Sequence, residues 1–398
     1  MINVKFIKPS HEFNIIPNPY DGNGIIKFIE YIGRVCYKSE EKIDNDSAKK
    51  FVKMIFDRGH TSVFEHYIFN FEVPEGIFNT LAIPQKYDDD YRELLRYLKF
   101  SRYPKTYNGH NKHYISGSLR AFNQLANYIY NSEFGGPKGA FTKIYQPIRD
   151  LLPDDITYTP DELSLFLYVP DNEIKLLSRS DINRLPNEIR EKHNWFSLHF
   201  ITDRSITHEL VRHRLCAFSQ ESTRYVNYKN KGYISILPYW MNDEIKELIL
   251  DNNNDTEIWK LQDSNNVIAA KGWIVDIKDS FSKYEWFMKL KDPSFTPQEL
   301  KGILHESIKA EIHMTAFEDE WKHIFDLRCT NGAYPGMREL MIPVLQDISN
   351  ISVNDYQDDD MYYNNLLLNI INDGGGNYIE TNRTTVPIYY ASASTSGD

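Results

Sequence analysis

Arg212, His213 and Arg214 stand side by side, and Ser222 and Arg224 follow a short distance on. Two guanidinium forks around an imidazole, followed by a hydroxyl donor and a third fork, form the combination that phosphate or carboxylate recognition uses. Continued as a helix, the run would point Arg212 and Arg214 about 200° apart, so one helix end could serve two anions. The bland alternative is a solvated basic helix end paired with acidic neighbours. The preceding HELVRH superficially suggests a zinc motif. On a helix, however, His208 and His213 would lie about 140° apart and could not share a metal face, so no metal site is expected. Further on, Arg328 continues the apolar stripe of Trp321, Ile324 and Phe325. A guanidinium on such a face must find a buried carboxylate or a ligand, because an unpaired buried charge is too costly.

These residues need elements to hold them. Ile25, Phe28, Ile29, Ile32, Val35 and Cys36 recur at helical spacing, and a second helix runs from an Asp46/Ser47 cap through Phe51, Met54 and Ile55 to a stop at Gly59. After HTSVFEH, the residues Tyr67, Phe69, Phe71 and Val73 alternate with Ile68, Asn70 and Glu72, which predicts a half-buried strand. WFSLHFITDR reads as a strand, SITHELVRHR as a helix, and IKAEIHMTAF as a strand alternating Ala310, Ile312, Met314 and Ala316 against Glu311, His313 and Thr315. EDEWKHIFDLR and PGMRELM read as helices, and PQELKGIL as a helix start with Pro297 in its first turn. The class is α+β. Periodicity weakens over 80–195, with Asp88 to Asp90, NGHNKH and FGGPKG, so this stretch reads as an insertion or accessory subdomain between core segments 1–79 and 196–350. A second variable stretch spans 241–295, and 351–398 reads as a mobile tail.

With 398 residues the chain can bury a full core, and its net charge of −11 argues against a polyphosphate backbone as partner. The apolar fraction of 41% counts 27 tyrosines and suggests long polar loops around an ordinary core. Cys36, Cys216 and Cys329 are odd in number and far apart, which suits a reducing cytosol better than a disulfide framework. No run has the roughly 18 to 20 apolar residues of a membrane helix, and MINVKFIKPS lacks a signal-peptide core. A cytoplasmic protein is expected, in the host cytoplasm if the source is viral.

The stretch RHRLCAFSQESTRY, 212–225, resembles the flavin-dependent thymidylate synthases, whose motif is Arg-His-Arg, seven residues, then Ser-x-Arg. GHTSVFEH at 59–66 and EWKHIFDLR at 320–328 are similar to two further blocks of that family. The resemblance implies a mixed α/β fold of the thymidylate-synthase-complementing type carrying a large insertion, and a homotetramer with shared active sites. It implies FAD as bound cofactor and conversion of dUMP to dTMP, with methylenetetrahydrofolate as carbon donor and NADPH as reductant. Carried over by position, Ser62, Arg212, His213, Arg214, Gln220 and His323 would contact FAD. Glu209, Arg212, Gln220, Ser222, Arg224, Lys301 and Arg328 would hold dUMP, with Arg328 and Ser222 catalytic, and His60 would lie near the folate or nicotinamide pocket.

Lys301 stands where the family usually has an arginine, so any phosphate contact there would be a point charge in place of a fork. Phe317 and Asp319 stand where the family often has polar flavin contacts and are given no role. Arg120 could reach substrate or belong only to the insertion. Cys36 reads as core, and the resemblance implies no cysteine nucleophile. The alternatives are a related pyrimidine nucleotide hydroxymethylase of a virus, a binding protein that keeps flavin and nucleotide without turnover, and an RNA-binding module, which the negative charge disfavours.

Overall fold

The structure is a computed structural model that describes residues 2–74, 98–107, 110–131, 136–158, 174–251, 257–355 and 361–373. The acidic run Asp88 to Asp90 and the chain from Gly374 onward lie outside the described residues.

Helices α1 (Gly22–Val35) and α2 (Ser47–Asp57) form where the apolar spacing predicts them. Gly59 ends α2 with φ of +71°, a left-handed conformation that favours glycine. A 3-10 turn over Thr61–His66 then leads into strand β3 (Ile68–Pro74). β3 lies inside an antiparallel sheet ordered β4-β5-β3-β6, where β4 is Lys99–Tyr107, β5 is His110–Ser118 and β6 is Lys175–Leu176. The half-exposed face expected for β3 is buried instead: Asn70 is 7% exposed and accepts from Ser116 Oγ at 2.5 Å, and Ser116 in turn pairs with His193 Nδ1 at 2.6 Å. The polar side chains of that face satisfy one another, which lets the alternation persist without solvent.

The stretch expected to be an insertion shares its core with the N-terminal segment. Helices α3 (Leu119–Asn131) and α4 (Gly136–Leu151) contribute Phe122, Phe141, Tyr145 and Ile148 to the cluster that contains Phe28, Ile29, Phe51 and Phe71.

The second four-stranded antiparallel sheet positions the motif residues. Its order is β2-β7-β10-β8, with β2 Ser10–Phe13, β7 Trp195–Asp203, β8 Ala217–Gln220 and β10 Lys309–Phe317. One face packs Leu198, Phe200, Ile312 and Met314 against helices α5 (Arg204–Leu210), α7 (Glu318–Arg328) and α8 (Pro335–Asp355). At about 25 cal/mol per Å² of apolar surface, each such side chain contributes roughly 1.5 to 3 kcal/mol before entropy is counted. The polar face of β10 is also buried: His313 is 0% and Thr315 2% exposed. There Thr315 Oγ1 donates to Ser197 Oγ at 2.7 Å and meets His66 Nδ1 at 2.8 Å, while Glu311 takes Lys38 at 2.6 Å and His199 at 3.1 Å.

Residues 241–295 hold a 25-residue helix, α6 (Asn265–Lys289), that the weak pattern concealed. Val267, Ala270, Ile274, Ile277, Phe281 and Tyr284 are its buried stripe, but Ile268, Val275 and Trp286 on the opposite side are exposed and blur the period. Strands β1 (Val4–Ile7) and β9 (Tyr233–Ile236) pair in parallel beside it. Part of the expected tail is helical too: α9 (Met361–Asn372) buries Tyr363 and Ile370 in the core of the motif sheet. Among the described residues no helix is long and apolar enough to cross a membrane.

Candidate active site

Strand β7 delivers the chain to α5, whose start is capped by Asp203 accepting from the Ile206 amide at 2.8 Å. The helix does not continue through the arginines as expected. It ends at Leu210, and the amides of Arg212 and His213 bond three residues back, to the carbonyls of Glu209 (3.2 Å) and Leu210 (3.1 Å). The helical angles that would separate Arg212 from Arg214 and His208 from His213 therefore do not apply. The outcome is a turn with His213 buried between two exposed arginines. Among the described residues neither Arg212 nor Arg214 has an ion-pair partner, and no group of His, Cys, Asp and Glu could hold a metal ion.

Arg328, at the end of α7, reaches this turn. Its Nη1 donates to Glu209 Oε2 at 2.8 Å, its Nε to His213 Nε2 at 3.0 Å, and its Nη2 to the Glu209 carbonyl at 3.4 Å. The choice left open between carboxylate and ligand is thus met by Glu209, with the Arg328 side chain 18% exposed. A guanidinium has five N–H donors, so two remain for a ligand. Because Arg328 donates to Nε2, the neutral ring of His213 carries its proton on Nδ1. Burial first, then the charges of Arg328 and His323, push His213 down to about 4. Arg328 is thereby held between one carboxylate and one neutral imidazole.

Gln220, at the end of β8, donates from Nε2 to Thr207 Oγ1 at 2.6 Å and so ties α5 to the strand that leads to Ser222. The segment from Ser222 to Arg224 is a turn and not extended, yet the Ser222 hydroxyl accepts from the Arg224 amide at 3.3 Å, keeping the two together. Arg224 is exposed; its Nε donates to Gln298 Oε1 at 3.1 Å and its guanidinium lies 5.5 Å from the Tyr225 ring centre. Lys301 is exposed in a 3-10 turn three residues beyond Gln298.

The Ser222 amide donates to the Cys36 carbonyl at 3.1 Å, which brings the end of α1 alongside the motif. Tyr37, next in sequence, pairs through its hydroxyl with His60 Nδ1 at 2.8 Å and packs its ring 5.8 Å from that of Tyr225. Ser62 is exposed in the turn after His60, and His323 is exposed on α7. Arg120 forms an ion pair with Glu65. Phe317 and Asp319 together hold Lys99, one by its ring face at 4.4 Å and the other by its carboxylate. Tyr37, Thr207 and Gln298 were not singled out from the sequence, since nothing in their spacing marks residues that act on a partner far away in the chain.

Burial raises the pKa of Cys36, Cys216 and Cys329, so no thiolate is favoured.

A family profile described as thymidylate synthase complementing protein matches residues 23–77 and 191–352, more than half of the chain. The chain belongs to this family. It is 22% identical over 155 residues to a flavin-dependent thymidylate synthase of Geobacter sulfurreducens, covering 39% of this chain and 56% of that one. It is 27% identical over 144 residues to one of Corynebacterium diphtheriae, covering 36% and 52%. The chain thus spans about half the length of the curated relatives it matches. Among solved structures, a UMP/dUMP methylase, PolB, from Streptomyces cacaoi aligns over 87% of this chain and 93% of its own at 9% identity and a TM-score of 0.33. Thymidylate Synthase X from Helicobacter pylori, with FAD and dUMP, aligns over 44% and 73% at 15% identity and 0.30. The matched segments contain all the motif residues, and most of 80–195 falls between them.

Proposed function

We propose that this member of the thymidylate synthase complementing family is a flavin-dependent thymidylate synthase. It would be a methyltransferase converting dUMP to dTMP, with methylenetetrahydrofolate as carbon donor and NADPH as reductant. The observation that carries the reading is Arg328, fixed by Glu209 and His213 with two donors to spare, beside two exposed arginines that have no ion-pair partner. A fixed cation with free donors can stabilise negative charge as it develops on a pyrimidine, and free guanidinium forks suit a phosphate and a diphosphate.

The donor set fits FAD in chemistry: Arg212 and Arg214 would meet its diphosphate, with Ser62, Gln220 and His323 as neighbouring contacts. Bound FAD would supply the hydride chemistry, taking reducing equivalents from NADPH. His213 would contribute only Nδ1–H, because its Nε2 already accepts from Arg328. For dUMP, Ser222, Arg224 and Lys301 would take the phosphate end, and Arg328, with Glu209 holding it, the base. Ser222 would orient substrate without becoming a nucleophile, and the raised thiols leave no cysteine for that part either. Leu215, 75% exposed, and Leu327, 50% exposed, directly flank Arg214 and Arg328. Apolar side chains left open beside charged ones support a homotetramer whose subunits cover each other's sites.

The test is an absorption spectrum of the purified protein. A flavin spectrum is expected that NADPH bleaches and that returns when dUMP and methylenetetrahydrofolate are added, with tritium released from 5-tritiated dUMP. A flavin-free protein that releases no tritium even with added FAD would overturn the reading, and a product one oxygen heavier than dTMP would make it a hydroxymethylase.

A further inference from the structure

Tyr37 sits in a turn that is held from three sides. The Tyr37 amide bonds the Arg34 carbonyl at 3.1 Å, closing the end of α1, and the Cys36 carbonyl accepts from Ser222. Lys38 has φ of +48°, a conformation where glycine is the default. It is kept there by its own amine, which reaches Glu311 at 2.6 Å and Glu40 at 2.9 Å. Backbone strain of this kind persists only where surrounding contacts over-determine it. What the turn fixes is the direction of Tyr37, whose ring leans on Tyr225 and whose hydroxyl meets His60 Nδ1 at 2.8 Å.

Which partner donates follows from their chemistry. A phenol is the better donor and an unprotonated imidazole nitrogen the better acceptor. Burial, then the neighbouring Cys36 and Tyr225, raise the pKa of Tyr37, so its hydroxyl keeps its proton. With Nδ1 accepting, the proton of the neutral His60 ring sits on Nε2.

The geometry points to Tyr37 as a positioning residue that selects the Nε2–H tautomer of His60, so that this ring presents a donor to the carboxamide-type carbonyl of a second substrate. The nicotinamide carboxamide and the pterin lactam both offer such an acceptor. This role rests on the proposed function and on the placement of His60 near the folate or nicotinamide pocket that the family resemblance implies, whereas the tautomer itself does not.

Long-range nitrogen spectra of the full-length, histidine-labelled protein, with His60 assigned from its loss in His60→Gln, test both parts. The parent should show His60 as Nε2–H. Tyr37→Phe should shift the ring to a tautomer mixture and raise KM for methylenetetrahydrofolate or NADPH about three- to thirtyfold, more than KM for dUMP. Lys38→Gly, which tolerates the positive φ, should keep the parent tautomer, and Lys38→Val, which does not, should lose it. A parent ring protonated on Nδ1, or a tautomer unchanged in Tyr37→Phe, overturns the inference. A shifted tautomer with unchanged KM for both cosubstrates overturns the positioning role. If the tautomer behaves as stated and no protein form turns over dUMP, the functional reading fails while the Tyr37–His60 pair stands.

Discussion

The two ends of the candidate site are built differently. Arg328 itself is already held within the chain: Glu209 and His213 occupy three of its donors, and the side chain is mostly covered. Around Arg224 the groups are exposed and lightly tied, with one bond to a glutamine and one ring contact. A cation fixed before substrate arrives needs no reorganisation during reaction, whereas an exposed arginine can fold onto a phosphate as it binds. Under the proposed function, the first end would serve the chemistry and the second the capture of substrate.

Arg328→Ala tests that contrast hardest. It should lower turnover about 10²- to 10³-fold or more, the scale for removing one preorganised donor to a developing charge, while the variant stays folded. Turnover and near-ultraviolet circular dichroism measured together check it, and a folded variant with parental kcat would end the claim that this end performs chemistry.

Arg224→Ala should act on binding instead. A loss of about 1.5 to 3 kcal/mol in dUMP affinity is expected, the usual scale for a charged hydrogen bond, with kcat at saturation changed less than KM. Calorimetric titration reads it directly. Equal affinity in parent and variant would erase the distinction between the two ends.

The covered end should also respond to pH through His213. Its folded pKa, about 4, lies below the ordinary histidine value of 6.5, so the unfolded chain binds more protons between those values. Stability should therefore fall as pH drops through that window and level off below about 4. His66 and His193, both pushed down to about 3 with burial as the leading cause, add to the same slope. Urea denaturation at several pH values from 7 to 4 should show a shallower decline in His213→Gln than in the parent; identical slopes would mean His213 is not held neutral.

The smallest effect is expected from the thiols. Replacing Cys36, Cys216 and Cys329 together by Ser or Ala should leave turnover within about tenfold, or about 1.4 kcal/mol of barrier. A single folded, flavin-loaded Cys216 or Cys329 variant without activity would move the chemistry from Arg328 to a thiolate.

The motif residues and most of the elements that carry them were legible from local pattern. Trp321, Ile324 and Phe325 mark α7 by their spacing, Gly59 marks the end of α2, and the run 212–224 marks the family by residue type alone. α6 was not legible, because exposed Ile268, Val275 and Trp286 mask its buried stripe. The polar face of β3 was misjudged because alternation reports polarity, and polarity equals exposure only when no partner waits inside.

What the sequence determined by itself is which side chains are available and which family the chain resembles, since those depend on residue type and short spacing. Only the tertiary structure decided that the helix stops at Leu210, that Arg328 is answered by Glu209 and His213 more than a hundred residues earlier, and that Tyr37 holds His60. Local periodicity arises from backbone geometry repeated every few residues, whereas these pairings arise from which distant surfaces pack together. A hydrogen bond forms with whichever partner that packing brings within 3 Å, and separation along the chain leaves no trace of it.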